Sequence, residues 1–334
     1  MQIRTLVVAA TLCAAWPALA APQSSNLGSP AEAATRFSAD YKAVVTAALP
    51  TVTAEELAER VRAAVAEDAA ERPLAIADAR SWGALFGVDV PAGATGDELV
   101  DGDNASYLVA PDAGRLYIAL RGEPKTYSRQ AYARLLPQIR RAHAELAERI
   151  GLPSRQFFFT DFRETLAQST PRQVGEVPDG PIESVGATST FLRAAGGLLV
   201  DGSSFTVSSL DTDRIDMADV RWPRMVLAPE VDAARVFAPS QLTDRIVDRL
   251  RATEKGPVSV RMAVVLRPVA SGRGSAFVPA LRVSVRPQSQ RLPDGYHTEA
   301  GEEFYFNLVA GVPALEEGDG SEPPESLQPR EAIR

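Results

Sequence analysis

The stretch ATSTFLRAAGGLLVDGSSFTVSSLDTDRIDMADVRWPRMV, Ala187 to Val226, decides how the chain is read. Thr188 to Arg193 reads as a strand. Ala194-Ala195-Gly196-Gly197 reads as a tight turn, with glycine supplying the positive φ that such turns need. Leu198 to Leu210 reads as a second strand with Phe205 and Val207 on one face and Thr206 and Ser208 on the other. That period of two marks a sheet with one buried side. Gly202 predicts a bulge or a close backbone approach within this strand. Asp211-Thr212-Asp213 turns the chain into a third strand, Arg214 to Trp222, and Pro223 ends it by removing a backbone donor.

On the N-terminal side, the sequence predicts a helix over Ala31 to Ala48. A second helix opens on the capping box Thr53-Ala54-Glu55-Glu56, with Leu57, Val61 and Val65 along one face, and ends before Pro73. Pro91 to Asn104 reads as a loop. Ser106 to Leu120 reads as a hairpin, with Gly114 at the left-handed position of its turn. Tyr127 to Ile150 reads as one long helix, capped by Ser128 and stopped by Gly151-Leu152-Pro153. Its apolar stripe is Tyr132, Leu135, Leu136, Ile139, Leu146 and Ile150. Gln156 to Gln168 reads as a strand that begins FFFTDF, and the aromatic run Phe157-Phe158-Phe159 as buried.

On the C-terminal side, Pro239 to Thr253 reads as an amphipathic helix bearing Leu242, Ile246, Val247 and Leu250. Strands follow at Val258 to Val269, Phe277 to Arg286 and Glu303 to Val309. The domain plan is a signal peptide at 1–20, an extension at 21–50, an N-terminal α+β domain at 51–168 and a linker at 169–183. A C-terminal α+β domain at 184–312 and a disordered acidic tail at 313–334 complete it. The fold class is α+β, with antiparallel sheets each covered on one face by a helix. A helix followed by strands recurs near 53–120, 128–226 and 240–309, so repeated units are an open expectation.

Residues 1–20 have the layout of a secretory signal: basic Arg4, an apolar run from Leu6 to Trp16, and Ala18-Leu19-Ala20 for cleavage. The run is too short to span a bilayer. A periplasmic or secreted location follows, with no transmembrane segment in the mature chain. The one cysteine, Cys13, lies in that segment, so disulfides and thiolate metal sites are excluded from the mature chain. Loss of Arg4 takes the net charge from -8 to about -9. An acidic chain without basic runs is a poor match for nucleic acid.

Chemistry is sparsely signalled. Of the two histidines, His143 shares the apolar stripe of its helix and reads as a core-edge residue. His297 lies in the polar segment Asp294 to Glu299. Neither has metal-ligand or nucleophile-elbow spacing. The acid groups Asp211, Asp213, Asp216 and Asp219, and Asp101, Asp103 and Asn104, lack the glycine and glutamate of a calcium loop. Neither a metal site, a catalytic set nor a cofactor is assigned. The segment Arg221-Trp222-Pro223-Arg224, together with Arg193, supplies the candidate binding residues Arg193, Arg221, Trp222 and Arg224. The competing reading is a tryptophan capping the sheet core under arginine stems.

The helix ending AELAERIGLP, the strand FFFTDFRETL, and FLRAAGGLLVDGSSFTVSSLDTDRIDMADVRWP with Arg193, Gly197, Val200, Gly202 and Ser203 so spaced, resemble a known module. It is the propeptide module of thermolysin- and fungalysin-type proteases and the related PepSY module. The resemblance covers about residues 130–225, and the hairpin at 106–120 faintly. It implies a cystatin-like or open α+β sheet acting as an intramolecular chaperone and inhibitor, or as a small regulator of peptidase activity. The family's HExxH protease domain does not follow here, so a cis-acting propeptide is not expected. What carries over is an edge strand that pairs with a partner's backbone. The expected function is therefore a non-enzymatic protein binding a protein or peptide partner in the cell envelope, through the sheet at 187–226. The alternative is a periplasmic hydrolase using Asp161, Glu164 or Glu183, with His297. The oligomeric state is open.

Overall fold

Glycine and proline punctuate the elements much as the sequence suggests, whereas the pairing among strands is longer in range than any local pattern conveys. The computed structural model describes residues 5–8, 37–71, 74–76, 78–91, 93–122, 125–169, 182–211, 214–227, 238–254, 256–271, 274–288 and 302–309. The elements begin with β1 (Thr5–Val8), α1 (Tyr41–Ala48), α2 (Ala54–Ala70), α3 (Ala79–Ala84), β2 (Gly96–Asp101), β3 (Ala105–Ala110) and β4 (Arg115–Leu120). Next come β5 (Tyr127–Ser128), α4 (Arg129–Ala133), α5 (Leu136–Arg149), β6 (Phe157–Ser169), β7 (Ile182–Ala195), β8 (Leu198–Ser209) and β9 (Ile215–Arg221). The last are β10 (Val226–Leu227), α6 (Pro239–Thr253), β11 (Val258–Ser271), β12 (Gly274–Pro287) and β13 (Glu302–Asn307).

The chain divides into two compact units drawn from alternating segments. The first comprises Met1–Ala21, Glu67–Ala194 and Gly202–Arg224. In it the strands run in the order β6, β7, β8, β9, β4, β3, β2, with β1 beside β6. The alternation of β8 is realised: Phe205 and Val207 are fully buried, while Thr206 and Ser208 are half-buried. They join a core with Trp82, Leu116, Ile118, Leu146, Ile150, Phe191 and Val220. Trp82 keeps its indole N–H satisfied inside that core by donating to the Tyr117 carbonyl at 3.0 Å.

The hairpin of β3 and β4 turns on Gly114, at φ +66°. The turn lies against the end of β9: Trp222 N–H donates to the Gly114 carbonyl at 2.7 Å. A Cβ at Gly114 would fall onto the Trp222 carbonyl group. Gly114→Val therefore meets both a left-handed backbone and a backbone wall. The expected loss is about 2–3 kcal/mol, read by chemical denaturation. Gly87→Ala is the control, since it too has positive φ but no neighbour within reach.

The second unit comprises Pro22–Ala66, Ala195–Asp201 and Met225–Arg334. Here β11, β12 and β13 pair antiparallel in sequence. The first residues of β8 join β11 in parallel, and β10 joins β12 in parallel. One face packs Val260, Val264, Leu281, Val283, Phe304 and Phe306 against Leu242, Ile246 and Leu250 of α6, Leu57 and Val61 of α2, and Val45 of α1. The hydroxyl half of the expected capping box forms, the Glu56 N–H donating to Thr53 Oγ1 at 3.1 Å, while the Glu56 carboxylate accepts from Arg60 at 3.1 Å.

The fold class requires correction. The expectation was α+β, with antiparallel sheets each covered on one face by a helix, in repeated cystatin-like or PepSY-like units. Strands instead dominate, and their pairing is mixed, with β8–β11 and β10–β12 parallel. The hairpin of the supposed first repeat pairs with β9, about a hundred residues on, at Leu116↔Val220 and Ile118↔Ala218, so it does not close a unit of its own. Periodicity reports that a strand has one buried face, but it carries no information about which strand lies beside it.

Two local expectations also change. The helix expected over Tyr127 to Ile150 is a short strand and two helices, because Pro137 near the start of α5 removes a backbone donor and begins a new helix after Leu135. The loop expected at Pro91 to Asn104 contains β2. Thr5–Val8, within the segment assigned to the signal, pairs with the end of β6. The rest of residues 1–20, the stretches 21–36 and 170–181, His297 and the tail at 313–334 lie outside the described residues. No helix among the described residues is long and apolar enough to cross a membrane.

Candidate functional site

Three of the four candidate binding residues come together in the first unit. Arg193, on β7, is 0 % exposed. Its Nε donates to Gln156 Oε1 at 2.8 Å and its Nη1 to the Pro223 carbonyl at 2.7 Å. Its Nη2 donates to the buried Asp68 carboxylate at the end of α2. The guanidinium lies 5.0 Å from the centre of the Trp222 ring. Burial pulls the Arg193 pKa down and Asp68 opposes it. Arg224 donates to the main-chain carbonyls of Asp68 at 2.5 Å and Glu71 at 2.8 Å, which closes the C-terminus of α2 as cations there do. Arg221 lies apart and pairs with Asp219 at 3.2 Å. The group is thus a tryptophan at the edge of the core held by arginines, the structural one of the two readings.

The aromatic run is buried only in part. Phe157 packs against Phe191 and Trp222 with ring centres at 5.0 Å and 5.9 Å, but Phe158 is 41 % exposed. His143 is fully buried on α5 between two hydroxyls, with Nδ1 2.8 Å from Ser189 Oγ and Nε2 2.9 Å from Ser209 Oγ. Burial holds its pKa at about 4, so at neutral pH one ring nitrogen donates and the other accepts. Two acids of the hydrolase alternative are engaged separately, Asp161 with Arg163 and Glu164 with the Ser184 hydroxyl, while Glu183 lies on β7.

Of the clustered carboxylates, Asp101, Asp211, Asp216 and Asp219 are tied down, and Asp213 lies outside the described residues. Asp211 pairs with Lys125 at 2.7 Å and Asp101 with Arg121 at 3.6 Å. Asp216 accepts the Leu210 N–H at 2.9 Å, and burial pushes its pKa up to about 6. No group of three or more His, Cys, Asp or Glu placed to hold a metal ion occurs among the described residues.

A surface site missing from the sequence expectations lies at the other end of the same unit. β2 ends its strand order, pairing with β3 alone among the described strands. Leu99 and Val100 on it are 52 % and 39 % exposed. The β2–β3 turn, Gly102 to Asn104, opens onto a cavity of about 710 Å³ lined by Phe86, Val88, Tyr107, Leu120, Arg121 and Arg214. Phe86 and Arg214 are shared with a second hollow that reaches Leu146 and Arg149 on α5. Arg214 is fixed across the site by donating to the Arg121 carbonyl at 3.0 Å. The available signal was two apolar residues inside an acidic, glycine-flanked run, a pattern more common in loops than in strands.

No family model matches the chain, and no curated protein matches it. A solved structure of an uncharacterized protein from Eubacterium rectale ATCC 33656 aligns over 62% of this chain and 68% of its own, at 9% identity and a TM-score of 0.37. The propeptide and PepSY resemblance finds no support in these comparisons.

Proposed function

We propose that the protein is a non-catalytic binding protein of the cell envelope that takes an extended polypeptide segment along β2. The observation that carries this reading is an edge strand with two exposed apolar side chains next to an open, part-apolar cavity. An added strand would draw affinity from main-chain hydrogen bonds to β2 and selectivity from alternate side chains, one set of which reaches the cavity. The contact thus moves from the sheet at 187–226 to its margin, because β8 lies between β7 and β9, and β9 lies between β8 and β4. Those strands have no unpaired side to offer.

The test is selection from a displayed library of random peptides about ten residues long, a length that covers β2 with overhang. Peptides that bind should share alternating apolar positions and slow amide hydrogen exchange along β2. Leu99→Lys with Val100→Lys should weaken them about tenfold or more. Peptides that bind the double variant equally well, or protection confined to other strands, would overturn the proposal.

A further inference from the structure

The cavity at the β2–β3 turn continues past the edge strand. Antiparallel pairing brings the end of β2, the start of β3, the end of β4 and the start of β9 to one end of the sheet. The cavity lies at that end. Through Phe86 and Arg214 it adjoins the second hollow, of about 260 Å³, whose apolar lining includes Leu85, Leu146 and Ile215. A segment laid parallel to β2 leaves the strand at this end with its C-terminus leading.

The two compartments differ in sign. Asp89 and Asp103 line the cavity, and neither forms an ion pair among the described residues. Arg121 there is taken by Asp101 at 3.6 Å. The hollow holds Arg149 and Arg214 against one acid, Glu145, and neither arginine forms an ion pair with it or with another acid among the described residues. Arg214 donates only to a neutral group, the Arg121 carbonyl at 3.0 Å. Asp216, two residues along β9, feels the Arg214 charge, but its carboxylate accepts the Leu210 N–H. Arg149 is not spent on capping α5 either. The carbonyls of Leu146, Ala147, Glu148 and Ile150 accept main-chain N–H groups instead.

An occupant of the hollow must bring an apolar group and a carboxylate side by side. An internal residue of a polypeptide supplies one or the other, whereas an apolar C-terminal residue supplies both. An N-terminal ammonium would meet two like charges there. We propose that the segment taken by β2 is the free C-terminus of a partner polypeptide, running parallel to β2. Its last side chain, apolar, enters the hollow, and its α-carboxylate is held by Arg149 and Arg214. A basic residue shortly before the end faces Asp89 and Asp103 in the cavity. This partner chemistry and direction rest on the reading of β2 as the docking edge.

The probe is a peptide of alternating valine and serine, about ten residues long, ending Lys-Ser-Leu with a free carboxylate. It carries fluorescein at its N-terminus and is titrated by anisotropy against the full chain. Saturable binding is expected, and the C-terminal amide of the same peptide should bind about tenfold or more weakly. Arg149→Gln with Arg214→Gln should bring the acid down to the level of the amide and leave the amide unchanged. Both arginines are exposed, so the fold is not at stake. Glutamate in place of the peptide's lysine should weaken binding about tenfold, and Leu99→Lys with Val100→Lys should weaken acid and amide alike. Equal binding of acid and amide, both lost in the Leu99 and Val100 variant, would overturn the C-terminal assignment and leave β2 standing as the edge. Acid-selective, arginine-dependent binding that survives that variant would remove β2 and the docked segment together. No saturable binding of the acid, or equal binding of the glutamate peptide, would also overturn the proposal. Octanoate at the peptide's own concentration should leave it bound. Displacement there would assign the hollow to a free aliphatic acid and overturn the polypeptide partner.

Discussion

Arg193→Ala should lower the stability of the first unit by about 3–5 kcal/mol, the usual result of breaking a buried ion pair from one side. The guanidinium fills no surface role. It is 0 % exposed and serves Asp68, Gln156 and the Pro223 carbonyl while lying against Trp222. Its removal leaves the buried Asp68 carboxylate with the more distant Arg224 guanidinium at 3.9 Å, two acceptors without donors, and a cavity under an indole. Arg193→Lys should recover only part of the loss, because one ammonium cannot reach three acceptors held in a fork. The double variant Arg193→Met with Asp68→Leu should return to within about 1–2 kcal/mol of the parent, since two desolvation costs vanish with the pair. Denaturant titrations of the parent and the three variants make the comparison. A loss below about 1 kcal/mol in Arg193→Ala would contradict the role assigned to the cluster.

The second large effect is in acid. Burial holds His143 at about 4 in the native protein, against about 6.5 in an unfolded chain. As pH falls through 6.5 the unfolded state takes the proton first, so stability declines from there to about pH 4 and is level below. The full contribution is about 3 kcal/mol. Asp216 acts in the opposite direction. Its native pKa is raised by burial to about 6, so the folded state protonates first, and stability rises as pH drops from about 6 towards its unfolded value near 4. The two must be separated by difference. His143→Gln can still bridge Ser189 and Ser209 with an amide but does not titrate. Subtracting its stability curve from the parent's should leave a step between pH 6.5 and 4, with the Asp216 contribution cancelled. A flat difference would show that the imidazole is not sealed as described.

Much of the local structure was legible. The span Pro239 to Thr253 was read from its apolar spacing and is α6. Phe205 and Val207 were placed inward by alternation and are fully buried, and Gly114 was placed at its turn from the residue alone. His143 was read as a packed residue from its place on the apolar stripe. What could not be read was anything set by partners far away in sequence. Arg193 and Asp68 are 125 positions apart, and no periodic pattern links a cation on a strand to an acid at a helix end. β2 escaped notice because an edge strand with acids and two outward apolar residues has no buried face to produce alternation. The mixed pairing was invisible for the same reason: a residue's own neighbours do not reveal whether the adjacent strand runs with or against it.

The closure of α2 by Arg224 has a consequence for timing. The carbonyls it donates to, at Asp68 and Glu71, lie at the end of a helix made some hundred and fifty residues earlier. A ribosome that has not yet released position 224 has produced a helix whose final turn lacks its terminal cation, and whose Asp68 awaits Arg193 as well. Protease digestion of stalled nascent chains should therefore find the segment around 66–71 open until the exposed length passes 224, and shielded afterwards. The early part of the first unit is thus synthesised long before it can be locked.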